Sequence, residues 1–299
     1  MTIGLPRALL YYRYGTQWRV FLELLGCRTV VSGPTDARIL ARGTRAAIDE
    51  NCTPLKVFLG HVESLLGRCD AILIPRITRL GKHDELCACF FGLPDVVRNT
   101  FPDAVLIFCN AEGGNQRRAY LQLAASIGKR RGAARAYRLA ARAQRAEDAA
   151  RREAQDRLFR DAPGPRILIS SPGYVVGDEF LGGAVTRLVR EQGGVPLLTA
   201  DCDREACRPL AETLTPGLHW SMNRENVGAI ARHSHQVDGV LLVTAFPCGT
   251  DALVSEMVAR RLRGVPLARL MLDEQQGEEG LRTRVESFMD MLKARAAYG

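Results

Sequence analysis

The sequence predicts an α/β protein of two Rossmann-like parallel-sheet domains joined by a long Ala/Arg-rich helical segment. Three observations predict it. Short apolar runs alternate with stretches of helical periodicity in both halves, the pattern of parallel strands covered by helices. The 299 residues exceed the size at which a single core usually stops growing. Between the halves, residues 128–161 are rich in Ala and Arg, hold no Pro, and have Gly only near their start, which favours helix. Pro163-Gly164-Pro165 then stops that helix. The expected boundaries are 1–127 for an N-terminal α/β domain, 128–162 for the helical connector and 163–299 for a C-terminal α/β domain.

In the first half a strand at 3–5 leads into a helix at 17–25 and a strand at 28–31. Helical stretches follow at 36–49, interrupted by Gly43, and at 54–66, where Pro54 suits a first helical turn. A strand at 71–75, a long loop carrying Cys87, a helix at 94–99 and a strand at 104–109 complete the domain. The second half runs as a strand at 166–170, a loop through Pro172-Gly173, a helix at 180–192 and a strand at 195–199. After a polar stretch come a helix at 224–234, a strand at 237–244, the turn Phe246-Pro247-Cys248-Gly249-Thr250, a helix at 251–263, a strand at 267–272 and a terminal helix. The halves are alike in rhythm without an alignable repeat.

Composition excludes several function classes. With 46% hydrophobic and 25% charged residues the chain reads as an ordinary globular protein, not a disordered one. No run approaches eighteen uninterrupted apolar residues, and Arg7 interrupts the short apolar start, so a cytoplasmic protein without membrane spans is expected. The net charge of +8 is concentrated: residues 128–160 hold ten Arg and Lys129 against Glu147, Asp148, Glu153 and Asp156, a balance of 11 − 4 = +7. The remainder is near neutral, without the basic stripe that tracks phosphates, which argues against a nucleic-acid partner. The Arg-rich segment reads either as a solvated face or as a docking surface for an acidic partner or acyl-CoA phosphates.

Nine cysteines without a secretory signal point to reduced thiols or metal ligands. No CxxC pair or Cys-His finger spacing occurs, so the usual structural zinc signatures are absent. Cys52 in DENCTPLKVFLGH, Cys87 in DELCACFFGLPD and Cys248 in TAFPCGTDALV each lie in a turn-rich segment beside a predicted helix start. Ligands of open α/β sheets bind where strand ends run into helix N-termini, and such an N-terminus lowers a thiol pKa and favours an anionic group. Thr250 and Asp251 are candidates to cap the helix after Cys248, with Gly249 leaving room for close backbone approach. From spacing alone two readings stay open for these three: a shared metal site, or packing as small buried hydrophobes. Packing suits Cys27, Cys69 and Cys109 best.

GLPRALLYYR, NCTPLK with Gly60-His61 beyond it, FFGLPD and PCGTDA together resemble acyl-CoA dehydratase activase-related proteins, relatives of the 2-hydroxyacyl-CoA dehydratase subunits. The likeness runs from Gly4 to the terminal helix. It implies a 4Fe-4S cluster in the interdomain cleft, held by Cys52, Cys87 and Cys248, with one iron open and Cys89 as an additional ligand that would close it. A double-cubane cluster using further thiols is the lesser alternative. The resemblance also implies an ATP-dependent activator or other low-potential electron donor as partner, and a homodimer. The expected function is acceptance of low-potential electrons and reduction of a small-molecule substrate at the open iron; the alternative is a non-catalytic electron carrier or accessory subunit that docks an enzyme.

Among other groups, His61 is expected to be a buried structural histidine or a proton donor, and Lys56 a solvated lysine or an offset to cluster charge. Arg7 follows the first strand, placed for an anion contact or a structural ion pair. Ser170-Ser171-Pro172-Gly173-Tyr174 follows a strand but matches neither GxGxxG nor GxxxxGK[ST], so no nucleotide site is supported. Asp178 and Glu179 would begin a helix. His233 and His235, two apart, make a poor metal pair.

Overall fold

The computed structural model describes residues 1–111, 115–274 and 277–298. The chain forms two compact units, Met1–Asp148 and Ala149–Gly299. The first contains β1 (Thr2–Leu5), α1 (Tyr11–Leu24), β2 (Arg28–Val31), α2 (Ala37–Ala46), α3 (Thr53–Leu65), β3 (Ala71–Ile77), α4 (Ala88–Thr100), β4 (Leu106–Ala111) and α5 (Gln116–Ser126). The boundary between units falls inside α6 (Ala133–Asp161). The second unit continues with β5 (Arg166–Ser170), α7 (Gly173–Val176), α8 (Ala184–Glu191), β6 (Val195–Leu198), α9 (Arg204–Cys207), α10 (Ala211–Leu214), α11 (Ser221–His233), β7 (Gly239–Ala245), α12 (Gly249–Arg261), β8 (Leu267–Leu272) and α13 (Glu278–Tyr298).

Each unit holds one four-stranded, all-parallel sheet, ordered β2-β1-β3-β4 and β6-β5-β7-β8. Parallel strands need helical crossovers that cover both faces, so their residues are apolar on either side. In the second unit Ile167 and Ile169 pack with Val185, Leu188, Val285 and Phe288 on one face. Leu168, Val240 and Leu242 pack with Val227, Ile230, Val254 and Val258 on the other. Each such aliphatic side chain contributes roughly 1.5–3 kcal/mol by leaving water.

Helix α2 runs unbroken through Gly43, contrary to the interruption expected there. A Cβ on Gly43 would fall on the carbonyl oxygen of Lys56, and one on Gly60 on that of Ile39, so these glycines let the α2 and α3 backbones touch. In the second unit a Cβ on Gly228 of α11 would fall on the carbonyl oxygen of Cys207. Gly60 and Gly228 each stand eight residues after their helix's N-cap, Cys52 and Trp220. Strand order and this glycine position thus repeat where the sequence shows no alignable repeat.

Helix α1 begins at Tyr11 rather than 17, because Tyr14, Trp18 and Phe21 place one aromatic face in the core. Helix α4 begins at Ala88, six residues before the expected start, and carries Pro94 within it. Helix α5 has no counterpart among the expected elements. No helix among the described residues is long and apolar enough to cross a membrane.

Candidate functional site

In the first unit two helix starts bring three thiols together. Cys52 is the N-cap of α3 and Cys87 the N-cap of α4, both extended in backbone and neither making a side-chain capping bond. The loop before α4 is fixed by Leu86 N–H donating to Thr78 O at 2.8 Å and Gly81 N–H donating to Asp84 Oδ1 at 2.7 Å. Cys89, in the first turn of α4, is hydrogen-bonded through its side chain to both Cys52 and Cys87. Those bonds hold the Cys89 thiol below its ordinary range. Cys87, which shares its hydrogen with Cys89 and is half-buried, is pushed up by that bond first and then by burial. Two cysteines at helix N-caps thus hydrogen-bond the third, a setting that favours negative charge on Cys89.

All three cysteines are half-buried. As a donor set they match the soft thiolate ligation of iron–sulfur clusters and thiophilic metals. Among the described residues, however, no group of three or more His, Cys, Asp and Glu side chains is arranged to hold a metal ion. Cys89 is hydrogen-bonded to Cys52 and to Cys87.

Cys248 lies in the second unit as the N-cap of α12, after the cis Phe246–Pro247 bond. The cap is thus Cys248 itself, whereas Thr250 and Asp251 fall inside the first turn. A Cβ built on Gly249 would meet no atom within 4 Å, so the space beside this residue is open. The Cys248 thiol lies 3.4 Å from Thr250 Oγ1 and is pushed up to about 11, by burial first and then by the Asp251 carboxylate. The thiol-lowering effect expected of the helix N-terminus is outweighed here. Asp251 is buried, accepts from Asn223 Nδ2 at 2.8 Å, and is itself raised by burial.

His61 is fully buried on α3, with Nε2 3.0 Å from Thr35 Oγ1. Burial, aided by the nearby Arg7 charge, lowers its pKa to about 4. Lys56 is buried, not solvated. Arg7 is half-buried; its backbone N–H donates to Ser32 Oγ at 2.8 Å, and its side chain makes no ion pair with a described residue. Asp178 caps the turn that follows it, accepting from the backbone N–H of Phe180 and Leu181. Cys27, Cys109, Cys202 and Cys207 are buried, and Cys69 is half-buried. On α6, Arg135, Arg138, Arg142 and Arg145 are exposed, while Arg151 and Arg152 pair with Asp201 and Asp203.

Residues 2–202 match the model of the CoA enzyme activase uncharacterised domain (DUF2229). The chain belongs to this family. The match spans the whole thiol-bearing first unit of this CoA enzyme activase-family chain and ends before Cys248. No curated protein matches it. Among solved structures it aligns with SBP FpvC in complex with Ni2+ ion from P. aeruginosa, at 15% identity over 100% of this chain and 98% of that one, with a TM-score of 0.29. It also aligns with ZnuA, at 12% identity over 97% of this chain and 98% of that one, with a TM-score of 0.25. Scores of this size establish no shared fold.

Proposed function

We propose that this activase-family chain is an iron–sulfur protein that accepts low-potential electrons, with Cys52, Cys87 and Cys89 as thiolate ligands of a 4Fe-4S cluster. The observation that carries the reading is the hydrogen-bonded meeting of these three thiols at the starts of α3 and α4. When bound, such a cluster supplies single electrons at a potential set by its surroundings. The chain's own groups supply those surroundings: two helix N-termini offset anionic charge, and Lys56, one turn after Cys52, is buried on the same helix. Cys248 as a further ligand is a separate proposal, tested separately by substitution.

Family membership supports a partner of the activase type, an ATP-dependent electron donor, and service to a CoA enzyme. The non-catalytic carrier reading draws its own support from the exposed arginines of α6, which offer a docking face to an acidic partner. Iron and acid-labile sulfide in anaerobically purified protein test the cluster. About four of each per chain is expected; less than about one iron per chain after anaerobic reconstitution would overturn it.

A further inference from the structure

The second unit carries a pocket that the thiol reading leaves unused. It opens at the carboxyl ends of β5 and β7, neighbouring strands from which the chain departs to opposite sides of the sheet, to β6 and to β8. Open α/β sheets bind ligands at such a switch point. The pocket has about 310 Å³ of empty space, part of it open to solvent. Ser171 from the β5 end, Asn223 and Asn226 from α11 and Asp251 from α12 supply polar groups, above an aliphatic floor that includes Val227 and Val258.

Two polar atoms of this lining are buried without a partner. Oδ2 of Asp251 and Oγ of Ser171 have no hydrogen-bond partner among the described residues, although their residues are only 7% and 2% exposed. Their neighbours are engaged elsewhere: Asn223 Nδ2 donates to the other Asp251 oxygen at 2.8 Å, and Asn226 Oδ1 accepts from Thr199 Oγ1 at 2.8 Å. The Cys248 thiol also hydrogen-bonds the Asp251 carboxylate, as a weak donor. Buried acceptors left unpaired are costly, and a charged one more so.

No Arg, Lys or His lines the pocket. Phosphates and carboxylates would meet the Asp251 carboxylate with no compensating cation, so anionic ligands are excluded on charge. A cation that also donates hydrogen bonds fits both idle acceptors. The aliphatic floor suits a short hydrocarbon chain, and the modest volume limits its length. We propose that this pocket binds a small primary alkylammonium, its N–H groups donating to Asp251 Oδ2 and Ser171 Oγ and its alkyl chain lying on Val227 and Val258.

The probe is n-propylammonium chloride at pH 8, followed by calorimetric titration and thermal shift on the full chain, with 1-propanol and KCl as matched controls. Only the ammonium is expected to bind and to raise the melting temperature. Asp251→Asn keeps the side-chain shape, removes the charge and should weaken binding by about tenfold or more; Ser171→Ala should weaken it by about threefold to tenfold. Should Asp251→Asn not fold, Ser171→Ala and the comparison with 1-propanol carry the test. Equal binding of 1-propanol or of potassium, no binding of the ammonium, or unchanged affinity in a folded Asp251→Asn each overturns the proposal. Run on the metal-free full chain, the titration is read independently of cluster content and so stands apart from the iron–sulfur reading.

Discussion

The side chain of Cys89 is hydrogen-bonded to that of Cys52, which lies on a different helix, as well as to Cys87 two residues before it. Two thiols thus stabilise one thiolate, and the starts of α3 and α4 both face it. The metal-free protein should show this directly. Alkylation of Cys89 by iodoacetamide is expected to vary little between about pH 5 and pH 8, because a thiol held far below its ordinary value of about 8.5 stays ionised across that range. Removing the two donors in Cys52→Ala/Cys87→Ala should move the profile to that of an ordinary thiol, rising toward about pH 8.5. Mass-spectrometric mapping of the labelled site checks it; a wild-type rate that climbs with pH as in the double variant would refute the assignment.

Cluster content separates the ligands. Cys52→Ala, Cys87→Ala and Cys89→Ala are each expected to lose most iron and sulfide after anaerobic reconstitution, while Cys109→Ala, whose thiol is buried on β4, keeps them. Cys248→Ala decides the remaining ligand: loss of iron adds it to the set, and full iron content removes it. Retention of a full cluster in Cys89→Ala would contradict the trio.

Glycine substitutions should split by what a Cβ meets. Gly43→Ala and Gly60→Ala drive a methyl into the facing backbone carbonyl, which cannot swing aside as a side chain can. Each is expected to cost at least about 3 kcal/mol in urea unfolding. Gly228→Ala should cost a similar amount in the second unit. Gly92 sits in α4, and a Cβ added there would have nothing within 4 Å, so Gly92→Ala should stabilise by about 0.5–1 kcal/mol through helix propensity. Equal effects at Gly43 and Gly92 would show that the α2–α3 contact is not as close as described.

The strands were the readable part of the chain: 166–170, whose centre Ile167-Leu168-Ile169 is an apolar run covered on both faces, was expected at the bounds that β5 takes, and 267–272, an edge strand, at those of β8. Helix starts were less readable. Pro94 reads as a first-turn residue, yet α4 begins at Ala88, since burial of Phe90, Leu93 and Val97 rewards the longer helix despite the proline. Gly43 reads as a breaker because propensity carries no record of a second backbone packed against it. At the site, Cys52 was legible from its place before Pro54 at a helix start, whereas Cys87 lay in an expected loop and becomes an N-cap because α4 starts early. The centrality of Cys89 was not, because it arises from a contact with another helix that local spacing does not encode. The raised Cys248 thiol depends likewise on burial and on Asp251, which oppose the helix N-terminus.

His61 makes the first unit acid-sensitive. Its imidazole is fully buried and held neutral, its pKa lowered from 6.5 to about 4 by burial first, then by Arg7, with Asp36 opposing. The unfolded chain takes up a proton near pH 6.5 that the folded chain refuses until about pH 4. In that window the unfolded state binds more protons, so stability rises with pH: the contribution is fully present above about pH 6.5 and is lost progressively as pH falls toward about 4. The full loss amounts to roughly 3 kcal/mol, and about 2 kcal/mol of it is expected by about pH 5. Urea unfolding of wild type and His61→Gln at pH 7.5 and pH 5 isolates this term, because all other titrating groups are shared. The variant should lose about 2 kcal/mol less than wild type between the two pH values; equal losses would mean that His61 takes up its proton in the folded protein as readily as in the unfolded chain.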